Sequence, residues 1–230
     1  MEELNHSDYL FDQNRLEEDI SLLNDLRKSD KNNAQILWRL ARTYYQLSKD
    51  SQMKSKRSEL INTGFECAKQ ALALDDNCGF THCWYAVLFD AVSDLRGIKE
   101  RASNLKDVKR HMIKAVELNP NDAICRHVLG MLTYSIADLN WFKRKILENA
   151  FDKPPEGSYE EALEHFLIAE EIEPNFYSVN KLLIAKCYIA LKDYKSAKEY
   201  LKKVAALVPI KSEDDINSVE EAKYLLTKYK

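Results

Sequence analysis

The stretch HMIKAVELNPN, residues 111–121, decides the fold. Met112, Ala115 and Val116 recur at helical spacing, and Asn119-Pro120-Asn121 stops the run. The same phrase returns along the chain. ALALDDN (71–77), AVELNPN (115–121), AEEIEPN (169–175) and VAALVPI (204–210) each open on a small or branched residue and place Asp or Pro five positions later. Upstream, each carries two more residues of one helix face: Gly64 and Ala68, Val108 and Met112, Ala162 and Phe166, Ala197 and Leu201. Repetition of this kind marks stacked helix pairs, none of which can bury its apolar face alone.

A first helix is expected before each phrase. Its residues are Leu37, Leu40, Ala41, Tyr44; His82, Tyr85, Ala86, Phe89; Arg126, Leu129, Gly130, Thr133; and Lys181, Ile184, Ala185, Tyr188. In every set a large residue is followed directly by a small one, which lets two helices approach while the large neighbour fills the gap. The two helices together resemble a tetratricopeptide repeat. Only the fourth keeps a close separation, Tyr188 to Ala197; the gaps Tyr44–Gly64, Phe89–Val108 and Thr133–Ala162 carry insertions. The expected fold is all-α: an α-solenoid of tetratricopeptide-like helix pairs with long inter-helix insertions and flanking capping helices.

Residues 1–33 read as an N-terminal tail and a capping helix, with Leu16, Ile20 and Leu23 striping Arg15 to Lys28. Residues 34–230 read as one repeat domain closed by a second capping helix, Ser218 to Lys230, along which Val219, Ala222, Leu225 and Leu226 recur. FDKPPEGS (151–158) reads as a loop, and Ser158 with Glu161 as a capping box.

Composition agrees. Of 230 residues 45 % are hydrophobic and 31 % charged, and five Gly with five Pro are too few for an all-β chain. A net charge of −3 argues against a protein that coats nucleic acid by bulk charge. MEELNHSDYL has no leader pattern, and no apolar run nears the ~20 residues of a membrane span. A cytoplasmic chain without a transmembrane segment is expected, its five cysteines reduced. Cys78, His82 and Cys83 match no zinc spacing, and neither a phosphate loop nor a GxSxG or HExxH motif is present. No catalytic residue, metal or cofactor is expected.

Repeats of this kind bind. Positions that tetratricopeptide repeats commonly present on a concave face hold Trp38, Arg42 and Tyr45; Phe80, Cys83, Val87 and Asp90; Ile124, His127, Met131 and Tyr134; Val179, Leu182, Lys186 and Ile189. Trp38, Arg42, Tyr45, Phe80, Val87, His127, Met131, Tyr134, Leu182 and Ile189 are the candidate groove residues. So apolar a lining suits an amphipathic helix or a phospholipid acyl chain, unless the chain's own terminal helix fills it.

Charge is uneven as well. Residues 96–114 carry seven bases against Glu100 and Asp107, a net of +5, and residues 178–211 eight lysines against Asp193 and Glu199, a net of +6. Between them, 156–174 hold seven Glu and no base. Lys99, Arg101, Lys106, Lys109 and Arg110 form one candidate basic surface. Lys192, Lys195, Lys198, Lys202 and Lys203 form a second, expected to share one side of the last repeat. Both are either solvated faces or docks for an acidic surface such as tubulin tails, anionic lipid or RNA. RNA is least favoured, since no stacking module is present.

The segment NWFKRKILENAFDKPPEGSYEEALEHFLIAEEIEPNFYSVN, residues 140–180, is similar to the regulator of microtubule dynamics family. The likeness rests on Trp141, Phe142, Arg144, Pro154, Pro155, Tyr159, Glu160, Ala162, Leu163, Pro174, Asn175, Phe176 and Tyr177. WRLARTYYQL (38–47), LALDDNCGFTHCWYAV (72–87) and GIKERASNLKDVKRHMIKAVELNPNDA (97–123) extend it. The resemblance implies a non-enzymatic, microtubule-associated adaptor of the cytoskeleton, spindle and spindle poles that supports chromosome segregation. Its basic surfaces would then meet acidic tubulin. The alternative it carries is a lipid-binding or lipid-transfer module of organelle contact sites, with the apolar groove as the site.

Overall fold

The computed structural model describes residues 2–150 and 156–229. The loop expected at 151–158 falls largely outside them, as do Pro154 and Pro155. Among the described residues there are twelve helices and no strand. By spatial contact the chain forms two compact units, Met1–Asn119 with Lys145–Pro154, and Pro120–Arg144 with Pro155–Lys230.

The first unit holds α1 (Glu2–Asp12), α2 (Leu16–Ser29), α3 (Ala34–Asp50), α4 (Lys54–Leu74), α5 (Gly79–Arg96) and α6 (Ile98–Leu118). Residues 2–12, expected as a tail, are thus helical. α3 packs on α4, α4 on α5 and α5 on α6, while α1 and α2 pack on each other and on α3. The insertions after Tyr44 and Phe89 lengthen these helices instead of forming loops. Asn33 opens α3 by accepting hydrogen bonds from the N–H groups of Gln35 and Ile36. At the other junction Gly97 adopts φ +108°, a left-handed value that ends α5 and lets α6 begin at once. Leu37, Leu40, Ala41, Ala68, Ala71, Ala86 and Leu88 are fully buried, so the large-small pairs sit where two helices meet.

The second unit holds α7 (Ala123–Ala137), α9 (Tyr159–Ile172), α10 (Ser178–Ala190), α11 (Tyr194–Ala205) and α12 (Glu213–Lys228). Side-chain oxygens of Asp122, Ser158, Asp193 and Ser212 accept from backbone N–H groups to cap α7, α9, α11 and α12. The last helix therefore begins at Glu213, ahead of the expected Ser218. Ala162, Phe166, Leu183, Ile184 and Cys187 form one core cluster; Leu182, Ala185, Leu201, Val204 and Ala222 form a second, which α12 closes with Leu225 and Leu226. The insertion after Thr133 contains one further helix, α8 (Trp141–Ala150).

Candidate functional site

In the first unit the groove positions of α3 and α5 are covered. Trp38, Arg42 and Val87 are buried, and Phe80 stacks on Trp38 with ring centroids 4.7 Å apart. Tyr45 is half-buried, tilted against Trp84 at 6.2 Å. The cover over α3 is α1. Arg39 donates from Nη2 and Nε to the two carboxylate oxygens of Asp8 at 2.8 and 3.0 Å, and Arg42 Nη2 lies 2.9 Å from Asp8 Oδ1. The Arg42 guanidinium also sits 3.9 Å from the Phe11 ring centroid. Burial pushes the Asp8 carboxyl up, but the two guanidinia outweigh it and hold its pKa below the ordinary value. Beneath α1, the buried Asp19 accepts hydrogen bonds from Ser7 and Thr43, both at 2.5 Å.

The second unit treats its groove positions the same way. His127 is a core histidine: Nδ1 pairs with Asn180 Oδ1 at 2.9 Å, Asn180 in turn donates to the Phe166 carbonyl, and Phe166, Phe176 and Tyr177 ring it. Leu182 is buried under α12, and Ile189 packs on the same cluster. Tyr134 is half-buried against Tyr159. Met131 alone of the expected lining is exposed, at 41 %. In each unit, then, a terminal helix lies on part of the expected lining: α1 on Arg42 in the first, α12 on Leu182 and Ile189 in the second.

The two basic surfaces differ. On α6, Arg101 donates to both oxygens of Asp90 at 2.8 and 2.7 Å and reaches Asp94 at 3.2 Å, which ties α6 to α5. Burial lowers its pKa, yet the paired carboxylates prevail and raise it above the ordinary value. Arg110 pairs with Asp107 at 3.0 Å. Lys99 and Lys106 are exposed and Lys109 half-buried. Much of this surface is already neutralised within the unit.

On α11 the lysines stand out from the core. Ala197, Leu201 and Val204 are buried, and the opposite side presents Lys195, Lys202 and Lys203 exposed with Lys198 half-buried. Among the described residues none of these four forms an ion pair with a carboxylate. Lys203 Nζ lies 4.7 Å from the Tyr200 ring centroid. Lys192 is not on this face. It occupies the preceding turn at φ +64°, where the chain reverses between α10 and α11.

Comparison with known proteins decides the family. The family model described as regulator of microtubule dynamics protein 1-3 matches residues 4–230. The chain belongs to that family. Regulator of microtubule dynamics protein 1 of Mus musculus is 38 % identical over 227 residues, 97 % of this chain and 73 % of that protein. Regulator of microtubule dynamics protein 2 of Bos taurus is 30 % identical over 221 residues, 95 % of this chain and 53 % of that protein. A crystal structure of a thermophilic TPR protein of Thermus thermophilus superposes with a TM-score of 0.66, at 15 % identity and over 98 % of both chains. That likeness establishes the all-α, tetratricopeptide-like solenoid fold.

The residues on which the resemblance rests fall into two groups. Tyr159, Phe176 and Tyr177 are structural: Tyr159 donates to Asp138 at 2.9 Å, Tyr177 donates to Asp214, and Phe176 and Tyr177 wall in His127. Trp141 and Phe142 at the start of α8 are instead exposed, at 73 % and 62 %, and exposed Lys143, Arg144 and Lys145 follow them. No described helix is long and apolar enough to cross a membrane.

Proposed function

We propose that the chain is a non-catalytic adaptor that associates with microtubules by laying the lysine face of α11 against the acidic surface of tubulin. The observation that carries this reading is that Lys195, Lys198, Lys202 and Lys203 share the solvent side of one helix whose own sequence holds a single acid, Glu199, with Asp193 at the N-cap drawing on Lys195. A helix face with four lysines against one acid, Glu199, attracts an oppositely charged polymer and speeds its capture. The names of the relatives, regulators of microtubule dynamics, supply the polymer. Lys99 and Lys106 on α6 add to the attraction, and Arg101 does not. Cytoskeletal and spindle localisation, with support of chromosome segregation, follows from such binding.

The test is charge reversal. Lys198→Glu with Lys202→Glu should cut the fraction of protein that pellets with stabilised microtubules by about tenfold, a loss near 1.4 kcal/mol. The pair's thermal unfolding should match the wild type, since neither side chain is buried. Unchanged pelleting would remove α11 as the contact.

A further inference from the structure

α1 is attached mainly by polar contacts. Only Ser7 and Leu10 of its residues are buried, and Tyr9 is 53 % exposed. The anchor is Asp8, which meets Arg39 through two hydrogen bonds and Arg42 at 2.9 Å, with Phe11 one helical turn on, 3.9 Å from the Arg42 guanidinium. Beneath it lies a cationic and aromatic platform. The Arg39 guanidinium sits 4.1 Å from the Trp38 ring and Arg42 5.3 Å from the same ring, while Phe80 stacks on Trp38.

Two guanidinia fixed on an indole match a carboxylate and a ring three residues apart on one helix face, because positions i and i+3 lie side by side. α1 supplies that pair in cis. A short connection through residues 13–15, with Asn14 at φ +56°, joins it to α2. We infer that this face of α3 is a docking surface for an amphipathic partner helix bearing Asp or Glu and, three residues later, an aromatic residue, and that α1 is its resident stand-in. A competitor must displace a tethered segment at high effective concentration, so the closed chain binds weakly and release of α1 unmasks the surface. This site is separate from the lysine face of α11 and does not depend on the microtubule reading.

The probe is a fluorescent peptide of residues 2–14, EELNHSDYLFDQN. The full chain carrying Asp8→Lys with Phe11→Ala should bind it about tenfold or more tighter than the wild-type chain does. Arg42→Ala added to that chain should abolish the gain, as should replacing the peptide's Asp by Asn and its Phe by Ala. Equal affinity of wild type and variant, or equal binding of a poly-glutamate peptide without a ring, would overturn the inference. Hydrogen exchange of residues 2–12 in the wild-type chain needs no variant to fold. It should accelerate under millimolar peptide, and exchange that does not change would count equally against the inference.

Discussion

A Cβ atom built on Gly130 would lie 2.8 Å from Cε1 of Phe166, closer than carbon atoms tolerate. The glycine on α7 is what lets α9 approach, and Phe166 is fully buried in the space so made. Gly130→Val should therefore destabilise the second unit by about 2–3 kcal/mol through overpacking. Phe166→Ala should cost about 3–5 kcal/mol by leaving a cavity. Chemical denaturation followed by circular dichroism reads both. A loss below about 1 kcal/mol for either would show that the helices separate without strain.

His82 and His111 face each other with their Nδ1 atoms 2.8 Å apart, and His82 Nε2 lies 2.9 Å from the Asp76 carbonyl oxygen. His82 Nε2–H donates to that carbonyl, so His82 Nδ1 accepts the proton of His111. Burial, then the neighbouring His82 and Arg110, pull His111 down to about 4, against a smaller opposing pull from Asp107. A folded pKa below the unfolded one means the unfolded chain binds more protons between them, so stability falls as pH drops from about 6.5 towards 4. The loss should be about 1–2 kcal/mol after allowance for screening of a half-exposed ring. His111→Gln should flatten that part of the melting-temperature profile; a variant profile as steep as the wild type's would contradict the pairing.

Asp19 accepts from Ser7 on α1 and Thr43 on α3, so it couples α1, α2 and α3. Asp19→Ala should cost about 2–3 kcal/mol by orphaning the buried Ser7 hydroxyl and taking a carboxylate from beside the buried Arg42, while Thr43 keeps the Arg39 carbonyl as acceptor. The exchange protection of residues 2–12 should fall with it. Protection that persists in the variant would mean that Asp8 alone holds α1.

Arg101 separates a structural cation from a docking one. Because it is held by Asp90 and Asp94, Arg101→Ala should lower stability by about 1 kcal/mol at a partly exposed site and leave microtubule pelleting unchanged. A loss of pelleting at unchanged stability would place Arg101 itself in the contact.

The repeats were legible because their signal is local. Leu40-Ala41, Tyr85-Ala86, Leu129-Gly130 and Ile184-Ala185 mark helix contacts wherever they occur, and capping residues such as Ser158 announce the ends. The covering of the groove was not. Whether Arg42 or Leu182 faces solvent depends on Asp8, far earlier in the chain, and on Ala222 and Leu225, well after Leu182. α1 itself buries only Leu10 among its apolar residues and sets Phe11 against Arg42, too short a stripe to read as a helix that docks. Among the bases, spacing grouped Arg101 with Lys106 and could not reveal the Asp90 fork. It also placed Lys192 on a helix that begins at Tyr194.

The most direct measurement is co-pelleting of the wild-type chain with stabilised microtubules from about 50 to 300 mM salt, across which the screening length falls through roughly 10 Å. Docking by the α11 lysines predicts saturable binding at low salt that declines steadily along the series. A chain that stays in the supernatant at the lowest salt, or pellets equally at every salt, would contradict it.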